Sequence, residues 1–126
     1  LQFLQHPKGF SWHRLDVTKP FQLRKFSLWH DRAVFHFLKN SKAQLQYKTN
    51  LLKNSEKNGI AIISTFNVDG PDKCSGLKIV KYNKEKILGV FGKEFKLIEE
   101  INEIHLTPNL QKQNFSYFVL KRHTLN

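Results

Sequence analysis

The sequence predicts one α/β domain, a sheet with helices packed on it, and three observations support this. Segments patterned as strands alternate along the chain with segments patterned as helices. Ile60-Ala61-Ile62-Ile63-Ser64-Thr65-Phe66 is a continuous, largely β-branched run, as a strand buried on both faces requires. The 126 residues suffice for one core, and 40% hydrophobic content with 11 Phe is a globular composition.

Along the chain, Phe10–Val17 comes first. It alternates, with Phe10, Trp12 and Arg14 on one side and Ser11, His13 and Leu15 on the other, so a strand is expected there. Pro20 breaks any regular element beyond it. Phe26–Trp29 is a short second strand, and Val34, Phe37 and Leu38 space as a helical turn. Ser41 suits the N-cap of the next helix, which carries Ala43, Tyr47 and Leu51 at every fourth position. Asn58-Gly59 is expected to end that helix, because both residues tolerate the left-handed conformation. Gly59–Phe66 is then the central strand, covered on both faces. Asn67–Leu77, with Asp69-Gly70-Pro71 and Ser75-Gly76, reads as a loop. A short helix is expected over Asn83–Phe91, capped by Asn83 and stopped by Gly92. Phe95–Ile101 and Phe115–Lys121 are the last strands, an antiparallel pair with a long connection through Pro108 and Asn109.

Composition narrows the partners. The formal charge of +11 raises nucleic acid or an anionic membrane, but Lys is scattered from Lys8 to Lys121 without a block of like charge. A nucleic-acid partner is therefore not expected. No run approaches the roughly 18 apolar residues of a membrane span, and Leu1–Gly9 shows no signal-peptide pattern. The single Cys74 forms no internal disulfide, which points to a reducing, cytoplasmic setting. The chain opens on Leu1 and contains no Met, and the expectation is a truncated piece of a longer protein.

Several chemistries lack their motifs. The glycines never form G-x-G, Ser64 is in no G-x-S-x-G elbow, and no His/Cys/carboxylate set has metal-ligand spacing. No metal is expected. A polar cluster does stand out at the exit of the second strand: Trp29-His30-Asp31-Arg32, then Phe35-His36. Ligands of open α/β sheets bind at the carboxyl ends of strands, so this position suits chemistry, although a solvated turn with one buried His has the same sequence.

The segment Phe26-Ser27-Leu28-Trp29-His30-Asp31-Arg32-Ala33-Val34-Phe35-His36-Phe37-Leu38 resembles the fourth-strand motif of a family of class I S-adenosylmethionine-dependent methyltransferases, in which D-x-W-H-D-R-A-V-F-H-F-L is typical. The resemblance continues through Ser64-Thr65-Phe66, Asp69 to Leu77, Tyr82, His105-Leu106-Thr107-Pro108 and Gln113-Asn114-Phe115. It implies a Rossmann-like sheet of order 3-2-1-4-5-7-6 with strand 7 antiparallel. In that frame Phe10–Val17, Phe26–Trp29, Gly59–Phe66, Phe95–Ile101 and Phe115–Lys121 are strands 3, 4, 5, 6 and 7. Strands 1 and 2, with the glycine loop and the ribose carboxylate, have no counterpart, so the sheet is expected to be incomplete. Ser27 stands where the family usually has Asp.

The resemblance implies S-adenosylmethionine as cofactor. It sets Asp16 at the adenine amino group with Val17 beside the ring, and Trp29, His30 and Asp31 near the methionine part. Candidates for the substrate side are Asp69, Lys73 and Cys74, with His36 and His105, or His30, as proton acceptors. The methyl acceptor, a small molecule or a protein, is left open, as is the oligomeric state. Cys74 equally suits a small buried hydrophobe. Two readings of other classes stay open: a basic nucleic-acid-binding module, and a non-catalytic α/β fragment or pseudoenzyme.

Overall fold

A computed structural model of the chain describes residues 9–123; residues 1–8, which include most of the segment searched for a signal peptide, lie outside it. Among the described residues six strands and two helices are formed: β1 (Phe26–Arg32), α1 (Ser41–Asn54), β2 (Ser55–Phe66), β3 (Lys73–Cys74), β4 (Leu77–Lys78), α2 (Lys84–Phe91), β5 (Phe95–Leu106) and β6 (Lys112–Arg122). A 3₁₀ turn, Phe35–Phe37, comes after β1. The main sheet has the order β1-β2-β6-β5. β1 and β2 are parallel, and β6 lies antiparallel between β2 and β5. The exits of β1, β2 and β5 therefore share one end of the sheet.

Most strand bounds widen on the expected ones because ladder pairing extends them. β5 and β6 run on until only Thr107–Gln111 remains between them, so the connection is short rather than long. It is closed by Thr107 N–H to the Gln111 carbonyl (3.0 Å) and Leu110 N–H to the Thr107 carbonyl (2.8 Å). The N-cap of α1 is Asn40, not Ser41: the Asn40 side chain accepts from Ala43 N–H. The helix stops at Asn54, ahead of the expected Asn58-Gly59. Asn58 does adopt a positive φ of 65°, but it serves an irregularity in β2, where the pairing passes from Phe26↔Ser55 to Leu28↔Ile60. The regular ladder of β2 starts at Ile60, one residue past the expected start. α2 is capped by Asn83 and ends at Gly92, where a Cβ would lie 2.5 Å from the Leu88 carbonyl oxygen.

Phe10–Val17 is not a strand, which corrects the assignment of strand 3. Phe10 and Trp12 are about two-thirds exposed, and among the described residues no strand pairs with the outer edge of β1. A strand is stabilised by a ladder and a packed face, and alternation alone supplies neither. The chain from Val17 to Leu23 is instead pinned to α1 by two asparagines one turn apart. Asn50 Nδ2 donates to the Val17 and Lys19 carbonyls and its Oδ1 accepts from Phe21 N–H. Asn54 accepts from Leu23 N–H and donates to the Phe21 carbonyl. Both side chains are buried with these bonds made, which removes the penalty of burying an amide.

The core lies between the sheet and the helices. Phe35, Tyr47, Leu51, Ile63, Ile87, Phe91, Phe118 and Leu120 are buried there, with Phe35 within about 5 Å of the Tyr47, Tyr82 and Phe91 rings. Each such side chain contributes on the order of 1.5–3 kcal/mol. The opposite face is open among the described residues: Leu28 is 54% exposed, His30 is exposed, and Ile60, Ile62, Tyr117 and Val119 are half-buried. β2 is thus central, as expected, but covered by helices on one face only. No helix among the described residues is long and apolar enough to cross a membrane.

Candidate functional site

The geometry at the exit of β1 is set by strand alternation. Side chains point alternately to the two faces, so Trp29 and Asp31 face the helices while Leu28, His30 and Arg32 face the open side. Asp31 is buried. Its Oδ1 accepts from Val34 N–H (2.8 Å), and its Oδ2 accepts from Phe35 N–H (2.9 Å) and from the Tyr47 hydroxyl. Tyr47 in turn accepts from Trp29 Nε1–H at 2.8 Å. Burial pushes the Asp31 carboxyl above its ordinary value, against the pull of these donors. Burial and the neighbouring Asp31 charge drive the Tyr47 phenol well above its own.

The backbone reverses between Asp31 and the amides it caps. Ala33, at φ 63°, sits in the left-handed region that costs a non-glycine residue about 1–2 kcal/mol, and its N–H bonds the Ser64 carbonyl at 3.0 Å. The carboxylate thus anchors the turn that carries His36. That residue is fully buried, its Nδ1 accepts from Phe66 N–H at 3.1 Å, and Nε2 has no described partner. The ring is therefore the Nε2–H tautomer, with its one lone pair taken by the backbone. Burial holds its pKa down to about 4. His36 is a neutral structural imidazole with no free basic nitrogen.

The second loop leaves β2 at the same end. Asn67 organises it: its N–H bonds the Asn114 carbonyl, its Oδ1 accepts from Asp69 N–H, and its Nδ2 donates to Ser116 Oγ (2.6 Å), which donates to Asn102 Oδ1 (2.7 Å). Gly70 is packed so closely on backbone that a Cβ would lie 2.9 Å from the Asn114 oxygen and 3.0 Å from that of Asn67. Beyond it, Lys73 and Cys74 sit on the small hairpin β3–β4, whose two-residue turn Ser75-Gly76 has both φ positive, the requirement of a type I′ turn. Lys73 is exposed and Cys74 half-buried. The loop returns over the first one: Val80 N–H bonds the His36 carbonyl and Tyr82 N–H that of Phe66.

A cavity of about 330 Å³ opens here, lined by Asn67, Asp69, Asn102, Glu103, Asn114 and Phe115 among others. His105, exposed and paired with Gln113, lies two residues beyond Glu103 on β5. Asp69 and His105 are thus brought to one end of the sheet, while Lys73 and Cys74 stand on the hairpin beside it. Asp16 and Val17 lie on the pinned segment before β1. Asp16 is exposed, and its Oδ1 accepts both Thr18 N–H (2.9 Å) and Thr18 Oγ–H (2.6 Å), which hold its carboxyl below the ordinary range. Val17 packs partly buried on the core. Sequence reading missed Asn67, Asn102 and Ser116; a run of Asn in strands and loops carries no period that marks it as a network.

This mixed α/β fold resembles that of S-adenosylmethionine-dependent methyltransferases. The solved structures that share it include the N-methyltransferase NodS from Bradyrhizobium japonicum in complex with S-adenosylhomocysteine (TM-score 0.67, 13% identity, 89% of this chain and 54% of that one). The 1,6-didemethyltoxoflavin-N1-methyltransferase of Burkholderia thailandensis, with 1,6-didemethyltoxoflavin and S-adenosylhomocysteine bound, matches at TM-score 0.65 and 12% identity, over 87% of this chain and 49% of that one. A methyltransferase from Methanosarcina mazei matches at 0.70 and 6% identity, over 88% and 66%. The chain therefore spans about half the length of the first two and two-thirds of the third. No protein-family model matches it, and no curated protein does.

Proposed function

We propose that this chain forms part of an S-adenosylmethionine-dependent methyltransferase, acting on an acceptor not yet identified. The observation that carries the reading is the likeness of 89% of the chain, at TM-score 0.67, to an N-methyltransferase in complex with S-adenosylhomocysteine. The residues that the resemblance sets at the cofactor fit it in part. Asp16 keeps an exposed carboxylate, with both Thr18 bonds on Oδ1, and suits an exocyclic amino group. Val17 supplies an apolar neighbour, and His30 stands exposed at the exit of β1 on the open face. Trp29 and Asp31 are turned to the helices, so their part is to hold the β1 exit in place rather than to touch the ligand.

The cofactor supplies a methyl group on a sulfonium, already activated for displacement. What remains for the protein is alignment and exclusion of water. The cavity lined by Asp69 is the acceptor side, with Lys73 and Cys74 on the β3–β4 hairpin that continues the same loop as further candidates. A proton acceptor is needed only where the acceptor is protonated, and His105 is the exposed imidazole at this end. His36 supports the site by fixing the β2 exit through Phe66 N–H.

Titration of the labelled chain with S-adenosylhomocysteine, monitored by amide NMR shifts, tests the reading. Shifts are expected at Asp16, Val17 and His30, with weak affinity (Kd above about 100 μM), because few contacts come from these strands. Asp16→Asn, which loses the charge on the acceptor, is expected to weaken binding at least ~10-fold. Absence of shifts at millimolar ligand, or shifts confined to the far end of the sheet, would sink it.

A further inference from the structure

The far end of the sheet carries a second concave site. There the end of α1, the start of β2 and the end of β6 enclose a cleft of about 460 Å³ lined by Lys25, Lys57, Arg122 and His123, with Leu52, Ser55 and one carboxylate, Glu94. That carboxylate is already engaged by Lys48 at 3.1 Å. Arg122 is fixed at the wall: its Nη1 donates to the Leu52 carbonyl (2.7 Å), the Ser55 carbonyl (3.0 Å) and Ser55 Oγ (3.1 Å). His123 is fixed as well, through its N–H to the Glu94 carbonyl at 3.1 Å. A neighbouring cleft of about 530 Å³ shares His123 and adds Lys84 and Lys96, with no carboxylate in its lining. Lys96 also stands directly opposite Lys121 in the β5–β6 ladder, an arrangement that like charges disfavour.

Scattered lysines on a chain of charge +11 explain a diffuse positive surface. They do not explain a cavity whose one carboxylate is paired elsewhere and whose guanidinium is clamped in place. A held guanidinium loses little freedom on binding, and its planar donors match an oxyanion better than an ammonium does. We propose that this cleft binds a phosphate-class oxyanion, with Arg122 as the fixed donor, Lys25 and Lys57 as mobile counter-charges, and His123 at the mouth toward the second cleft. The adjoining basic cleft suits a ligand carrying more than one such group. The site lies at the end of the sheet opposite the strand exits and stands independently of the methyl-transfer reading.

The probes are inorganic pyrophosphate and a 12-nucleotide single-stranded DNA, titrated against the chain at about 0.1 M salt, where distant surface charges are screened. Pyrophosphate is expected to bind saturably, with amide shifts at Lys57, Arg122 and His123. The exposed pair Lys25→Gln/Lys57→Gln is expected to weaken it at least ~10-fold, a loss of one factor of ten per about 1.4 kcal/mol. An exposed control pair elsewhere, Lys42→Gln/Lys112→Gln, is expected to leave it unchanged, and circular dichroism verifies that both variants remain folded. Equal losses in the two pairs, shifts spread over all lysines, or binding of the DNA but not of pyrophosphate would overturn the proposal in favour of a diffuse basic surface.

Discussion

Replacing Tyr47 by Phe isolates the hydrogen-bond relay behind β1. The ring keeps its packing, 4.8 Å from Phe35 and 6.2 Å from Phe91, so no cavity term enters. The hydroxyl is lost, and with it the bond to Asp31 and the acceptor of Trp29 Nε1–H. A bond to a charged group contributes about 1.5–3 kcal/mol and the neutral one about 1, so the expected loss at pH 7 is about 2–4 kcal/mol. The pH dependence carries a sign. Burial raises the folded-state pKa of Asp31 above 3.8, and the Tyr47 bond is the largest influence opposing it. A raised folded pKa means that Asp31 contributes stability fully below about pH 4, and that this contribution is lost as pH rises through the folded pKa. Without the hydroxyl the folded pKa climbs further, so more is lost. The deficit of Tyr47→Phe should therefore widen from pH 4 to pH 7. Urea unfolding at both pH values measures it. A deficit below about 0.5 kcal/mol at pH 7, within the range of an ordinary surface change, or one that is equal at both pH values, refutes the relay as drawn.

Two further outcomes rest on buried polar groups. Asn54→Ala removes the acceptor of Leu23 N–H and the donor to the Phe21 carbonyl, for an expected loss of about 1–3 kcal/mol and faster amide exchange at Leu23. The double variant with Asn50→Ala should cost less than the sum, since both residues hold the same segment. For His36, a folded pKa near 4 against 6.5 unfolded means stability gained above the unfolded value and lost as pH falls toward 4, up to about 3 kcal/mol. His36→Phe should abolish that pH dependence, and an NMR titration of the imidazole with a midpoint near 6.5 in the folded chain would contradict the buried neutral ring.

What was legible in the sequence was periodicity and capping chemistry. Ile60 to Phe66, the Asn83 cap and the paired last strands carry local signals strong enough to survive packing. Phe10–Val17 misled because alternation is necessary for a strand but not sufficient; among the described residues no strand pairs with it in a ladder, and the segment just beyond it is held by Asn50 and Asn54 from across about 30 residues of sequence. Asn58 misled for a related reason. Its left-handed tendency was read correctly, but that tendency does not say whether the residue ends a helix or bends a strand. At the site, Asp69 and His105 were brought to one sheet end by strand direction, whereas the inward turn of Trp29 and Asp31 was knowable only once the register of β1 was set.

That register changes how the Trp-His-Asp segment is to be understood. In a strand with one covered face, adjacent polar residues cannot share a role, because successive side chains leave on opposite sides. Trp29 and Asp31 fall on the helix side, where Asp31 draws back two backbone amides, compels the reversal at Ala33 and through Tyr47 ties the strand to α1. His30 falls on the open side, beside Leu28 and Ile62. A dense polar motif at a strand exit is therefore divided by geometry into an inner pair that builds the turn and an outer residue that a ligand can reach. A defect from substituting Trp29 or Asp31 would report on how firmly the exit is held, whereas contact with the proposed ligand is tested by substituting the residues on the open side, His30 and Arg32.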